Sequence, residues 1–411
     1  MTRRRLTTRI VRLIFVIIAP VALAAALGSL LARPAEATSA SSVCEPDGVQ
    51  PGGAIYRICM PPLGSWNGDL VIYAHGYVPY NEPLAIPENQ LRLPNGTSLP
   101  ELVNSLGFAF AATSYRTNGL AVKDGVEDLV ELVDIFIYTA THGVPNHIYL
   151  TGVSEGGLIT TLAIEQRPDV FDGGLAACGP IGDFRKQIDY FGDFRVLFDY
   201  FFPRLLPGDP ISIPQSLIDN WPTYYATTLR PAILDPANAG KVDQLLRASN
   251  APYVPGVTST IETSIYDALL YNVFATNDGI AKLGGQPFDN QARVYSGSNN
   301  DARLNRKVQR FSADQAALDE IDAHYQTTGL LTVPLVTLHT TLDQQVPYWH
   351  EPLYRVKVIL NDSLALHWHG EIDRYGHCYF EADEVLGAFL QLVSMVLNRF
   401  RQFLPMIAAG P

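Results

Sequence analysis

Residues 149–158 read YLTGVSEGGL. A run of strand-forming side chains ends in Gly152-Val153-Ser154-Glu155-Gly156, and the chain then turns apolar at helical spacing through GLITTLAIEQRP (157–168). A serine between two glycines at such a corner is either a turn residue or a nucleophile raised on a tight elbow. On an elbow nothing shields its Oγ, and the helix N-terminus favours developing negative charge. The second reading needs a base and an acid elsewhere in the chain, because a serine hydroxyl is a poor nucleophile until a group takes its proton.

Working outward, short β-branched runs alternate with helical patterns. Strands are expected at 69–77, 108–115, 147–152 and 172–180, and helices at 99–107, 126–143 and 157–168. The alternation stops near residue 181 and resumes near 331, with strands at 331–340 and 364–372 and helices over 354–360 and 381–397. This order predicts an α/β fold with a mostly parallel, doubly wound sheet. The intervening 182–328 is aromatic-rich and mostly helical, and reads as an inserted cap. One of its helices, in SADQAALDEIDAHY, is expected to open with a Ser312/Gln315 capping box. Its aromatics, Phe184, Tyr190, Phe191, Phe194, Phe198, Tyr200, Phe201, Phe202, Trp221, Tyr224 and Tyr225, are read as a packed helical core from which several could line an apolar pocket.

The 411 residues carry a formal net charge of −12, with 17% charged and 47% hydrophobic side chains. That is an ordinary globular composition, and no basic run lies outside the N-terminus, which excludes a nucleic-acid surface. The N-terminus itself has an arginine-rich start, an apolar stretch and the small-residue site Ala35-Glu36-Ala37, the three parts of a secretory signal peptide over 1–37. Residues 38–411 would then form the exported domain, with no stable membrane partner. An uncleaved membrane anchor is the alternative. Export makes the four cysteines disulfide candidates. Three connectivities are open. Cys44 and Cys59 flank a Gly/Pro turn and are expected to close a hairpin, leaving Cys178 and Cys378 as a pair. No zinc-type Cys/His spacing occurs, and neither metal nor cofactor is expected.

These features resemble the α/β-hydrolase superfamily, over roughly 60–180 and 331–400, in its secreted esterase- and lipase-like branch with a large cap insertion. The resemblance implies that the acid follows the next strand, at Asp343, and that the base lies beyond the last, at His377 with Gly376 before it. Ser154, His377 and Asp343 would then be nucleophile, general base and orienting acid. Four other histidines compete with His377, namely His339, His350, His367 and His369, and Asp343 is also a residue type that turns favour. The oxyanion hole would use the backbone N–H of Glu155 and, after YAHGY (73–77), that of Tyr77, with His75 orienting the loop. The single Gly76 departs from the HGGG of one lipase and esterase branch. A Cys178–Cys378 bond would anchor the histidine loop.

Hydrolysis of carboxylic esters, small or polymeric, is the expected function. A peptidase or amidase would use the same triad, and one that trims N-termini would need an acidic anchor such as Glu155 or Glu371. A catalytically inactive binding module is the reading from another class, and the complete Ser154, Asp343 and His377 set speaks against it.

Overall fold

Alternation within the strands builds two separate apolar layers. Along β4 (Leu70–Ala74), Leu70, Ile72 and Ala74 point into one layer while Val71 and Tyr73 point into the other. The computed structural model describes residues 43–140 and 142–408. The expected signal segment 1–37 lies outside them. Among the described residues no helix is long and apolar enough to cross a membrane.

One sheet organises the chain. Its strands are β1 (Val43–Cys44), β2 (Gly48–Val49), β3 (Ile55–Met60), β4, β5 (Ala109–Thr113), β6 (Ile148–Val153), β7 (Gly173–Ala177), β8 (Leu335–Leu342) and β9 (His367–Tyr375), in the order β1-β3-β5-β4-β6-β7-β8-β9 with β2 also on β3. The pairings from β5 through β4 to β9 are parallel, and those of β1, β2 and β5 with β3 are antiparallel. Cys44 sits directly opposite Cys59 in the β1–β3 register, and the two are disulfide-bonded.

From β4 the chain moves outward to β5, and from β6 it moves the other way to β7. The point of divergence therefore lies between β4 and β6, where loops leave the carboxyl edge in opposite directions and open a crevice. Helices α2 (Val122–Asp134) and α3 (Glu155–Gln166) cover one face. Helix α1 (Leu99–Ser105) covers part of the other.

Between β7 and β8, and contributing no strand to the sheet, lie α4 (Phe184–Phe201), α5 (Gln215–Asp219), α6 (Trp221–Tyr224), α7 (Arg230–Leu234), α8 (Ala239–Ser249), α9 (Thr258–Leu283), α10 (Asp301–Lys307) and α11 (Gln315–His324). They have their own core around Phe194, Phe198, Trp221 and Leu269. The fully buried Arg195 guanidinium pins this core, meeting Asp199 at 2.9 Å, Asn272 at 3.1 Å and the Gly208 carbonyl at 3.0 Å. Two further helices complete the fold, α12 (His350–Leu360) on the α3 face and α13 (Ala382–Ala408) on the α1 face.

Two local expectations change. The Ser312/Gln315 capping box does not form: Asp314 is the residue before α11, and the Gln315 side chain instead donates to Asp319. The loop 312–314 is held by Gln286, which takes the Ser312 carbonyl and the Asp314 carboxylate. The helix expected over 126–143 starts at Val122 and finishes in a π-helical turn, Ile135–Thr139.

Candidate active site

Ser154 occupies the corner between β6 and α3 with φ 56° and ψ −123°, a backbone state that L-residues enter only under constraint. The constraint is visible. Its N–H donates to the Ala177 carbonyl, and its carbonyl accepts from Gly157 and Leu158. The glycines on either side are steric requirements. A Cβ on Gly152 would stand 2.1 Å from the Gly156 carbonyl oxygen, and one on Gly156 would stand 2.1 Å from that of Ala74. Strand and helix approach too closely for any side chain at either place, and that closeness lifts the serine clear of the sheet edge.

The Oγ of Ser154 lies 2.8 Å from Nε2 of His377, whose Nδ1 lies 2.8 Å from Oδ2 of Asp343. With Nδ1–H given to the carboxylate, Nε2 is left to accept the serine proton. Asp343 directly follows β8, and its other oxygen accepts the backbone N–H groups of Gln345 and Val346, both at 2.9 Å. His377 follows β9 through Gly376, which bends the chain at φ 119°. Burial alone would raise the Asp343 carboxyl, but His377 and His339 beside it hold it well below the usual carboxylate range.

The competing histidines are engaged elsewhere. His350 accepts the Gly182 N–H at Nδ1 and donates to Gln187 at 2.8 Å. His367 and His369 lie on β9 against Thr337, and His369 also meets Glu351. His339 sits behind the acid, with Nε2 2.8 Å from the Val346 carbonyl and Nδ1 3.1 Å from Glu351. Both partners of His339 are acceptors, so both of its nitrogens donate and the ring is an imidazolium. Although burial opposes charge, Asp343 and Glu351 push its pKa up to about 10.

The loop after β4 rides on the nucleophile. A Cβ on Gly76 would be 3.0 Å from that of Ser154. The Gly76 N–H donates to Gln90 at 2.7 Å, and the Gln90 amide returns to the Tyr77 carbonyl at 3.2 Å. His75 donates from Nδ1 to the Gly76 carbonyl, and its own carbonyl accepts from the Tyr115 hydroxyl. Tyr77 and Glu155 thus flank Ser154, the positions from which two backbone N–H groups could stabilise an oxyanion. The Glu155 side chain turns away from solvent. One carboxyl oxygen accepts the Ala121 N–H at 2.9 Å, the other has no hydrogen-bond partner among the described residues, and burial pushes its pKa up to about 8.

Several groups at the site were not singled out in the sequence. Tyr271, on α9, donates to Gln345 at 3.0 Å and lines the cavities beside Ser154. Tyr190 and Gln344 tie the acid loop to the inserted helices, through the Gln344 carbonyl and Asp267. Helical spacing in TIETSIYDALLYNVF marks α9 as a helix but not which turn reaches the serine. Of the aromatics noted in the insertion, Phe184 and Phe191 line a cavity beside Ser154, whereas Phe194, Phe198 and Trp221 are core.

Cys178 and Cys378 are bonded, joining the end of β7 to the residue after His377. Together with His377 they form the group among the described residues with metal-ligand spacing. Their sulfurs are committed to each other, so the group offers no thiolate to a metal.

A model of the prolyl oligopeptidase family matches residues 104–191 of the chain. No curated protein matches. Among solved structures, an acylaminoacyl peptidase from Pyrococcus horikoshii is 12% identical, with 82% of this chain aligned to 37% of that one at a TM-score of 0.39. An esterase from Aspergillus oryzae is 15% identical over 79% of this chain and 70% of its own, at 0.41. A putative hydrolase from Legionella pneumophila subsp. pneumophila is 15% identical over 87% and 86%, at 0.40. The chain thus spans little more than a third of the acylaminoacyl peptidase's length. Strand order, elbow and loop positions are those of the α/β-hydrolase fold.

Proposed function

We propose that the protein is a serine hydrolase of carboxylic esters, working through an acyl-enzyme on Ser154. The observation that carries the reading is the continuous line from Ser154 through His377 to Asp343, two hydrogen bonds of 2.8 Å in the sense that proton transfer needs. His377 takes the serine proton and returns it to the leaving oxygen. Asp343 holds the ring and balances its charge. The Glu155 and Tyr77 N–H groups receive the oxyanion.

Esters are favoured over the trimming of peptide N-termini by the state of the two acids that could anchor an amine. Glu155 is buried against the Ala121 N–H and tends to the neutral form, while Glu371 is exposed and bonded to Tyr348. A second reading, peptidase or amidase, is favoured by the match of the prolyl oligopeptidase family model. We assign 182–328 the role of a cap, since α4 and α9 supply walls beside Ser154. Export is supported by the composition of 1–37 and by two disulfides, which persist in oxidising compartments.

The test is hydrolysis of p-nitrophenyl acetate and butyrate against an aminoacyl-p-nitroanilide, with Ser154→Ala as control. Ester turnover that vanishes in the variant, without anilide cleavage, is the expected result. Anilide cleavage at comparable rates would move the protein to the second reading.

A further inference from the structure

Two apolar cavities meet at Ser154, and they differ in size, in position and in which members of the site they contain. The first lies under the inserted helices, measures about 140 Å³, and is walled by Phe184, Phe191, Ile280 and Phe288, with Glu155 also on its lining. The second measures about 650 Å³ and runs across the opposite face of the sheet, over Val71 and Leu175, between Leu102 of α1 and Phe389 of α13. It has a simple architectural origin. Helix α1 packs chiefly on β5 and β3, and α13 on β8 and β7. The strands between them, β4 and β6, are left without a helix on that face.

Ser154, Tyr77 and Tyr271 border both spaces, whereas Glu155 borders the small one and His377 the large one. That division orients a substrate. As Ser154 Oγ bonds to the acyl carbon, the bond from that carbon to the alcohol oxygen breaks, and the proton taken from Oγ passes from His377 Nε2 to the departing oxygen. Water then adds to the acyl carbon by the same route, giving the acid and restoring the serine. The departing oxygen must lie against His377, so the alcohol half belongs in the larger space. The acyl carbon must lie against the N-terminus of α3, so the acyl half belongs in the smaller one. By the same measure the larger space has between four and five times the volume of the smaller, so the alcohol half has the more room.

We infer that the substrates are esters of a short acyl group with a long or bulky apolar alcohol, the acyl group seated under α4 and α9 and the alcohol lying between α1 and α13. The inference rests on the ester-hydrolase reading. It needs no charged partner, since the lining of both spaces is predominantly aliphatic and aromatic.

The experiment is a pH-stat comparison of two ester series, ethyl, butyl and octyl acetate against ethyl acetate, butyrate and octanoate, run beside labelling of Ser154 by a fluorophosphonate. The expected result is a rise of at least about tenfold in kcat/KM from ethyl to octyl acetate, with a fall from butyrate to octanoate. Two variants sharpen it. Leu102→Trp fills the larger space and lowers the octyl-to-ethyl acetate ratio at least tenfold. Gly279→Leu fills the smaller, where a Cβ meets no atom within 4 Å, and lowers the butyrate-to-acetate ratio. Labelling together with a flat or reversed chain-length trend would overturn the inference and leave the hydrolase reading standing. Absence of labelling would overturn both.

Discussion

The Nε2 atom of His339 lies 3.5 Å from Oδ2 of Asp343, so the acid of the triad has a second, fully buried imidazolium behind it. Glu351 holds the far side of that ring at 3.1 Å, and its other carboxyl oxygen stands 3.0 Å from Nδ1 of His369. Removing the middle charge leaves two buried carboxylates facing each other with less compensation. His339→Gln is therefore expected to lose about 3 kcal/mol of stability in urea unfolding, a typical cost of breaking a buried pair.

The same cluster sets a pH window. His339 is raised from 6.5 to about 10 in the folded state, so its contribution is complete below about pH 6.5 and lost as pH climbs through 10. Asp343 and Glu351 are depressed from 3.8 and 4.5, so theirs is present above those values and lost as pH falls. Through His339, wild-type stability should fall between about pH 6.5 and 10, so His339→Gln should show a smaller alkaline decline than wild type, retaining the part that Glu155 contributes. An equal alkaline decline in the variant would remove His339 as its source.

At Ser154 the strained backbone yields a trade-off. A residue at φ 56° and ψ −123° costs roughly 1 kcal/mol that glycine does not incur. Ser154→Gly should melt slightly higher than wild type and be inactive, with kcat lower by about 10⁴-fold or more. If the variant melts lower, the serine hydroxyl contributes more to the fold through His377 than the backbone strain removes.

Much of this was legible in the sequence because it is local. The Gly-x-Ser-x-Gly corner, the β-branched runs at 69–77 and 331–340, and Gly376 before His377 each record a backbone demand at one place in the chain. What was not legible depends on distance. Tyr271, Gln90 and His339 reach the site from other elements, and nothing in their neighbouring residues reports it. The failed capping box at Ser312 has the same origin: Gln286, 26 residues away, takes the loop that the box would have used. The space between α1 and α13 follows from where two helices do not pack, which a hydrophobic pattern cannot express.

Glu155 offers a test of burial. Its carboxyl is raised by burial from 4.5 to about 8, so the folded state favours the protonated form. Stability from this group is complete below about pH 4.5 and falls as pH rises through 8, by an amount on the order of 4 kcal/mol. Glu155→Gln keeps the shape and cannot ionise. Its unfolding free energy should equal wild type near pH 5 and exceed it near pH 9. Parallel curves for the two proteins would mean that water or a moving side chain reaches the carboxylate.

The bond between Cys178 and Cys378 ties the base loop to the sheet. Both cysteines have left-handed backbones, φ 47° and 50°, and Cys378 Sγ stands 3.4 Å from His377 Nε2. The bond spans 200 residues, so opening it releases a long loop in the unfolded chain and should lower stability by about 3–5 kcal/mol. Loop position adds a kinetic consequence. With the tether cut, His377 is held by Asp343 and by the Thr340 hydroxyl on the Gly376 carbonyl, and it samples positions away from Ser154. The double variant Cys178→Ala/Cys378→Ala should therefore lose kcat by about tenfold at temperatures well below its melting point, with KM little changed. Cutting the other bond with Cys44→Ala/Cys59→Ala, at the far edge of the sheet, should lower stability without touching kcat. Equal effects on kcat from the two pairs would mean that the disulfides act through global stability alone.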